Sequence, residues 1–407
     1  MGKVIVIGGG ASGLIAAIYA SRSGNEVVLL ERNSEPAKKI LITGSGKCNY
    51  YNEDQDLSHY HTENKEELQK IITEENKREI LSFFEKIGIV PKIKNQYYYP
   101  FSMQATSMKE ALLAEVKACH VEIIPSFYVE EIDWKDGFFY INPHKEKWKA
   151  DFLILATGSK AAPKTGSDGI GYTLASSLGH TIHPIYPALC PLIGKAPYFK
   201  VWDGVRATVC VSLYEDHHKV CEKEGEIQLT KYGVSGICIF DMSGRAAPLL
   251  AQHRKVSIAI NFMPFLEEGA KSFLTKRNIR MKDRTIEQLL EGFLHYKVIA
   301  VIVKEAHLSK EQKWNEMSEK EKDILVSKLT HFVVPIEDVS TFEKAQVCTG
   351  GIPLTEIDPL TMESKVCKHL YVTGELIDVD GDCGGYNLGF AFITGMIAGK
   401  NIGGRHD

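Results

Sequence analysis

The first residues able to do chemistry are the glycines of Gly8-Gly-Gly-Ala-Ser-Gly13 and the acid Glu31, 18 residues beyond Gly13. Gly8, Gly10 and Gly13 stand in G-x-G-x-x-G spacing, which suits a nucleotide diphosphate for physical reasons. Gly8 permits a tight turn, Gly10 lets a pyrophosphate approach the backbone, and Gly13 lets the next helix pack close to the strand. A helix beginning there offers free N–H groups and its positive dipole end to the phosphates. Glu31 is placed to accept hydrogen bonds from a ribose diol.

Those residues need a strand, a helix and a second strand to hold them. Lys3-Val-Ile-Val-Ile7 is a continuous β-branched run, the pattern of a strand buried on both faces. Leu14 to Ser23 reads as an Ala-rich helix closed by Gly24, and Glu26-Val-Val-Leu-Leu-Glu31 as a strand ending in the acid. This βαβ unit suits FAD and NAD equally, so the rest of the chain must decide between them.

Directly after it, Lys38 to Asn49 contains a Gly-Ser-Gly loop with Lys47 and Asn49, able to wrap an extended ligand. Val121–Ile124, Tyr128–Asp133 and Gly137–Ile141 read as strands, followed by a buried strand that ends in Ala156-Thr-Gly158. Near the C-terminus, Leu370-Tyr-Val-Thr-Gly-Glu375 is a strand entering a turn, and Asp378 to Asn387 is a polar, glycine-rich loop. Leu388 to Gly399 is an apolar helix with small residues at Gly389, Ala391, Gly395 and Ala398, so a neighbour must pack closely against it. Its N-terminus would stabilise negative charge on a reduced flavin brought near by Gly384-Gly385.

Composition sets the bounds. The 407 residues are 44% hydrophobic and 25% charged with net charge −4, which gives no global attraction to nucleic acid or anionic membrane. Nine scattered cysteines without a CxxC pair argue against a disulfide framework and a zinc site, and read as reduced thiols of a cytoplasmic protein. No run approaches the ~18 apolar residues of a membrane span. The basic run Lys276, Arg277, Arg280, Lys282 and Arg284 reads as a solvated face beside a helix start.

These motifs together resemble the BaiN/YhiN-type (BaiN/RdsA) family of bacterial NAD(P)/FAD-dependent flavoproteins. The likeness spans nearly the whole chain: Gly8–Gly13, Lys38–Asn49, Ala156–Ser167, Gly179–Pro184, Pro187–Leu192, Thr230–Gly236, Gly350-Gly351, Thr361–Lys365 and Gly374 to Leu388. The resemblance implies an α/β, Rossmann-like FAD-binding domain of the two-dinucleotide-fold type, discontinuous over residues 1–190 and 337–407. An inserted domain over 191–336 would be β-barrel-like to 272 and mostly helical from 273. Strand-like alternation in Ala207–Leu213 and Lys255–Asn261 and helical patterning in Thr285–Leu329 agree with this.

By the same resemblance, non-covalent FAD would contact Gly8, Gly10, Ala11, Ser12 and Gly13, with Glu31 on the ribose. Arg32 and Lys39 would lie near the adenosine half and the Val129 backbone at the adenine edge. Gly46, Lys47 and Asn49 would be flavin-side contacts, and Ala156, Thr157 and Gly158 would line the middle. Gly374, Glu375, Asn387 and Leu388 would hold the ribityl chain and pyrimidine edge. Two departures stand out. Lys231 replaces a His that is usual in the family, which puts His-based proton transfer there in doubt. Gly44-Ser-Gly-Lys-Cys-Asn49 has Lys47 where relatives often carry Arg, losing the forked donor set.

Candidate catalytic residues are Lys231, Tyr232 and Cys48, each with a bland alternative as surface charge, packing ring or small hydrophobe. His180 and His183 beside an apolar segment read as structural. Gly166-Ser-Asp-Gly-Ile-Gly171 is a weak second phosphate site, so NAD(P)H as transient donor is implied by resemblance. Three functions follow: reduction of a C=C or C=O bond in a small, steroid-like molecule; oxidation of an amine or aminoketone by O2; or a flavin-bearing redox sensor or tRNA-associated protein. The expected partner is a small molecule, with no nucleic acid, membrane or metal.

Overall fold

The computed structural model describes residues 2–144, 148–266, 269–282 and 284–403. The chain forms two compact units, Met1–Tyr186 with Gln346–Asp407, and Pro187–Ala345.

In the first unit, strand β1 (Lys3–Ile7), helix α1 (Ala11–Arg22) and strand β2 (Glu26–Leu30) follow one another as the apolar runs require. Both strands are interior members of a five-stranded parallel sheet. Its spatial order is Leu370–Val372, Phe152–Leu155, β1, β2, Glu122–Ile124. Val4 to Val6 are fully buried, which is why the run carries no polar alternation. The C-terminal strand adds at the edge, so residues far apart in sequence complete one sheet. Two sequence readings shift. Tyr128–Glu131 is irregular, and the strand there is Ile132–Lys135, because Asn142 takes up the backbone N–H groups of Glu130 and Glu131. Thr43–Gly46 is a tight helical turn after a short helix Lys38–Ile42, with Gly44 and Ser45 left-handed.

The helix Tyr386–Asn401 is longer than its apolar stretch, and every residue from Gly389 to Gly399 is buried. It packs on α1 through glycines. A methyl on Gly395 would lie 2.3 Å from the Ser12 carbonyl, and one on Gly399 2.5 Å from that of Ala16. Backbones this close exclude any side chain, which explains the small residues.

The second unit holds a seven-stranded antiparallel sheet, in which Arg206–Glu215 pairs with His218–Thr230 and Val256–Asn261. Its two outermost members are successive parts of one segment: Phe332–Ile336 pairs with Val256–Asn261, and Asp338–Val339 pairs with Leu192–Ile193. One segment thus joins both edges and rolls the sheet into a barrel-like form. The insertion runs past residue 336 because Val339 is still in this ladder and Ser340 donates to the Pro191 carbonyl. The β-rich part also carries a helix, Ile237–Ala251, packed on the barrel strands. Helices Ile286–Leu290, Tyr296–Glu305 and Glu319–Thr330 follow, giving the helical character read from 285 onward. In the basic run, Arg277 is spent on the carbonyls of Leu289 and Glu291, and the residues to Arg280 close helix Ala270–Arg280. Among the described residues no helix is long and apolar enough to cross a membrane.

Candidate functional site

The glycine turn after β1 behaves as its spacing predicts. Gly8 has φ +103°, and a methyl there would lie 2.5 Å from the Ala156 carbonyl at the end of the neighbouring strand. A methyl on Gly13 would sit 1.9 Å from the Gly8 carbonyl, so α1 presses on the turn. Gly10 meets nothing within 4 Å and caps α1 without a side chain, which leaves the first-turn N–H groups of Ala11 and Ser12 open.

Glu31 is buried at the tip of β2. Its Oε2 accepts from the Gly9 N–H at 2.8 Å, and Oε1 accepts from the backbone and side-chain N–H groups of Asn33, both at 2.7 Å. Three of about four lone-pair positions of a carboxylate are used, which leaves one on Oε2 for an outside hydroxyl. Arg32, by contrast, is committed: it forms an ion pair with Asp168 and lies 4.8 Å from the centre of the Tyr128 ring. Val129 is buried beside this cluster in sequence.

Lys39 and Glu375, 336 residues apart, form a 2.6 Å ion pair. Glu375 Oε2 also stands 3.9 Å from the methyl position of Gly158 (φ +71°). Gly374 (φ +68°) abuts Ser12: a methyl on it would reach the hydroxyl at 2.7 Å. Asn49 Oδ1 lies 2.9 Å from the methyl position of Gly385, the left-handed residue that starts helix Tyr386–Asn401. The turn around Gly44 exposes Gly46 and Lys47. Tertiary folding therefore draws the glycine turn, Lys39, Asn49, the Ala156–Gly158 strand end and the Gly374–Gly385 loop into one neighbourhood.

Three buried polar atoms there have no protein partner: Asn49 Oδ1, Thr157 Oγ1 and Glu375 Oε1. An unpaired buried polar group costs about 1–3 kcal/mol, so three together mark places where a bound molecule would supply the missing bonds. With the open cradle at Gly10 and the spare acceptor on Glu31, these residues fit an extended dinucleotide.

Several candidates have other contacts within the protein. Asn387 Oδ1 accepts from the Gly381 N–H at 2.9 Å and its amide donates to the Gly381 carbonyl at 2.8 Å. Its side chain braces the loop, and Leu388 behind it is half-buried. Cys48 is fully buried, and burial pushes its thiol up to about 12, so it is no accessible acid or nucleophile. Lys231 and Tyr232 belong to the second unit. The Lys231 side chain is exposed while its N–H donates to Asp203, and the Lys344 ammonium sits 5.0 Å from the centre of the Tyr232 ring. The suggested second phosphate site is occupied by acid: Asp168 Oδ1 accepts from the Ile170 N–H at the start of helix Ile170–Ser177, where a phosphate would meet like charge.

One group escaped the sequence reading. Asp378, Asp380 and Asp382 alternate along an extended segment, and each meets a histidine. Asp378 accepts from or pairs with His183 at 2.7 Å, Asp380 with His61 at 2.9 Å, and Asp382 with His59 at 3.0 Å. His61 Nε2 also contacts Asp382 at 3.3 Å. The period-2 spacing of Asp378-Val-Asp-Gly-Asp and of His59-Tyr-His61 was the available signal. Among the described residues no set of three or more His, Cys, Asp and Glu side chains is arranged to hold a metal.

The HI0933-like protein Rossmann domain model matches residues 2–401. The chain belongs to this family. It is therefore a flavin-dependent oxidoreductase of the BaiN/YhiN type. A 3-dehydro-bile acid delta(4,6)-reductase from Clostridium scindens is 37% identical, the match covering 98% of each chain. A ribosomal RNA dihydrouridine synthase from Escherichia coli is 22% identical over 98% of this chain and 97% of its own. Its counterpart from Haemophilus influenzae is 23% identical over 98% of each. A solved 3-ketosteroid-delta4-(5alpha)-dehydrogenase from Rhodococcus jostii superposes with a TM-score of 0.48 at 15% identity, covering 99% of this chain and 97% of its own.

Proposed function

We propose that this protein binds FAD non-covalently in the first unit and uses NAD(P)H to reduce a C=C bond conjugated to a carbonyl in a small, steroid-like molecule. The unpaired Asn49 Oδ1, Thr157 Oγ1 and Glu375 Oε1 beside the open glycine cradle carry the cofactor reading. The first-turn N–H groups of Ala11 and Ser12 would take the diphosphate, and Glu31 the ribose. Lys39 and Glu375 would meet the middle of the cofactor. Asn49 and the turn at Gly384-Gly385 would meet its ring end. When bound, FAD supplies hydride exchange with an organic substrate. The residues here orient it and favour negative charge at the N-terminus of helix Tyr386–Asn401.

The direction of reaction and the substrate class rest on the relatives. One reduces delta(4,6) bonds of a 3-dehydro bile acid, and the others make dihydrouridine, so both named activities saturate a C=C bond next to a carbonyl. The higher identity of the bile-acid enzyme and a net charge of −4 favour a free small molecule. Reduction of a pyrimidine in RNA is the second reading, favoured by the two dihydrouridine synthases. Nine free cysteines support a reducing, cytoplasmic setting.

Anaerobic stopped-flow mixing of the FAD-loaded protein with NADH or NADPH tests the proposal. Bleaching of the flavin band, then recovery on adding a 3-oxo-4,6-diene steroid, is the expected result. Bleaching with recovery only on ribosomal RNA would favour the second reading. Absence of bleaching by either nucleotide would overturn nicotinamide-driven reduction and turn attention to amine donors and O2.

A further inference from the structure

The loop that leads into helix Tyr386–Asn401 is held by a side-chain cluster to which the proposed chemistry gives no part. Its backbone frame is a short antiparallel pair, with Asp380 opposite His61 and Gly381 opposite Tyr60. Asp382 N–H extends the pairing to the His59 carbonyl at 2.8 Å. Across this pair, His61 Nδ1 meets Asp380 Oδ2 at 2.9 Å and Nε2 meets Asp382 Oδ1 at 3.3 Å. Both carboxylate side chains are buried, 2% and 4% exposed, and the imidazole is 13% exposed. Nδ1 is hydrogen-bonded to Asp380, and Asp382 Oδ1 stands at ion-pair distance from Nε2 without a hydrogen bond between them, so the two carboxylates together favour the doubly protonated, cationic ring.

What the pair holds in place is the flavin-end turn. Gly381 is clasped at both its N–H and its carbonyl by Asn387, the second residue of the helix. The Tyr386 ring stacks on His59 at 4.7 Å and meets Tyr60 edge-on at 5.5 Å. The Gly384 carbonyl accepts from Asn52 at 2.9 Å, and a methyl on Gly385 would lie 2.6 Å from the Tyr51 carbonyl. Shifting the Asp380–Asp382 strand would move Gly381, and with it Asn387 and the Gly384-Gly385 turn.

We propose that His61 is a positioning residue for the flavin: as a cation locked between Asp380 and Asp382, it fixes the strand that sets the turn at Gly384-Gly385. This inference rests on that turn receiving the ring end of the cofactor. Burial opposes charge on His61, but the hydrogen bond to Asp380 and the close Asp382 carboxylate outweigh it and hold its pKa up to about 9. The other charged and titratable groups around it belong to the same lock. His59 joins Asp382 to Asp54, Asp378 lies two residues before Asp380 with His183 on it, and Lys65 donates to the Tyr60 carbonyl. The phenols of Tyr60 and Tyr386 complete the surroundings. Because the folded value is raised above the ordinary ~6.5, the lock is fully present below that pH and is lost as pH rises through about 9.

The test is FAD affinity of the full-length apoprotein, read by quenching of flavin fluorescence at pH 7 and pH 9.5. Wild type and His61→Asn are compared with His180→Asn, a more deeply buried histidine elsewhere in the unit. Wild type should bind FAD roughly threefold more weakly at pH 9.5, where about three quarters of the His61 rings have lost their proton. His61→Asn should be at least tenfold weaker than wild type at pH 7 and nearly flat between the two pH values, while His180→Asn keeps the wild-type drop. Equal affinity of wild type at the two pH values overturns the proposal, and this arm needs no variant to fold. So does a pH drop of wild-type size in folded His61→Asn. Failure of wild type to bind FAD at either pH would instead overturn the cofactor assignment itself.

Discussion

Two histidines in the same unit, the half-buried His61 and the buried His180, are held by different partners. His61 faces a carboxylate with each nitrogen. His180 faces Glu356 at 2.7 Å with Nδ1 and the Ser364 hydroxyl at 2.8 Å with Nε2. A neutral ring satisfies that second arrangement, donating to Glu356 and accepting from Ser364. Ser, His and Glu in this order look like a nucleophilic triad, yet the Ser364 oxygen also accepts from the backbone N–H groups of Val366 and Cys367. With Ser364 itself buried, the group is a brace for the Ser364–Cys367 turn. The difference between these two rings lies in the partner of the second nitrogen together with burial: a hydroxyl leaves His180 a strut, while a second, buried carboxylate favours charge on His61.

The largest effect that could break this contrast is Asp380→Asn. Removing one buried partner of a charge costs about 3–5 kcal/mol, and denaturant unfolding at pH 7 should show a loss of that order. The loss should shrink as pH rises through about 9, where wild type gives up the same contact. A loss that does not vary with pH would place His61 with His180 as a plain strut.

Ser364→Ala sharpens the other side. It leaves the backbone N–H groups of Val366 and Cys367 and one His180 nitrogen without their partner, a cost of about 1–3 kcal/mol. Unfolding should move by that amount with FAD affinity unchanged within twofold. Loss of FAD affinity would show that the brace reaches the cofactor after all. The smallest effect belongs to Cys48→Ala, a neutral buried group outside both clusters. Its lost packing should cost roughly 1 kcal/mol, and flavin bleaching by NAD(P)H should proceed at the wild-type rate. A slowed rate would restore Cys48 as a participant.

Much of the cofactor half was legible in the sequence because its requirements are local. A strand, a turn that admits a pyrophosphate and a helix that packs close demand Gly8, Gly10 and Gly13 within a few residues of each other. The same holds for the apolar helix with Gly395, whose small residues announce a close neighbour without naming it. The candidate catalytic residues were the weakest reading. Nothing in the residues flanking Cys48 reveals that it is fully buried, and nothing near Asn387 reveals that its amide is spent on Gly381.

By itself, then, the sequence determined the βαβ unit, the family, and the need for an extended nucleotide cofactor, because glycine spacing and hydrophobic period act over one or two turns of chain. Only the tertiary structure decided that Lys39 would meet Glu375, that one segment would close the inserted barrel, and that His59 and His61 would face Asp380 and Asp382. Those contacts join residues 72 to 336 positions apart. Their geometry comes from sheet order and helix packing, and ionised groups change character according to what burial places around them.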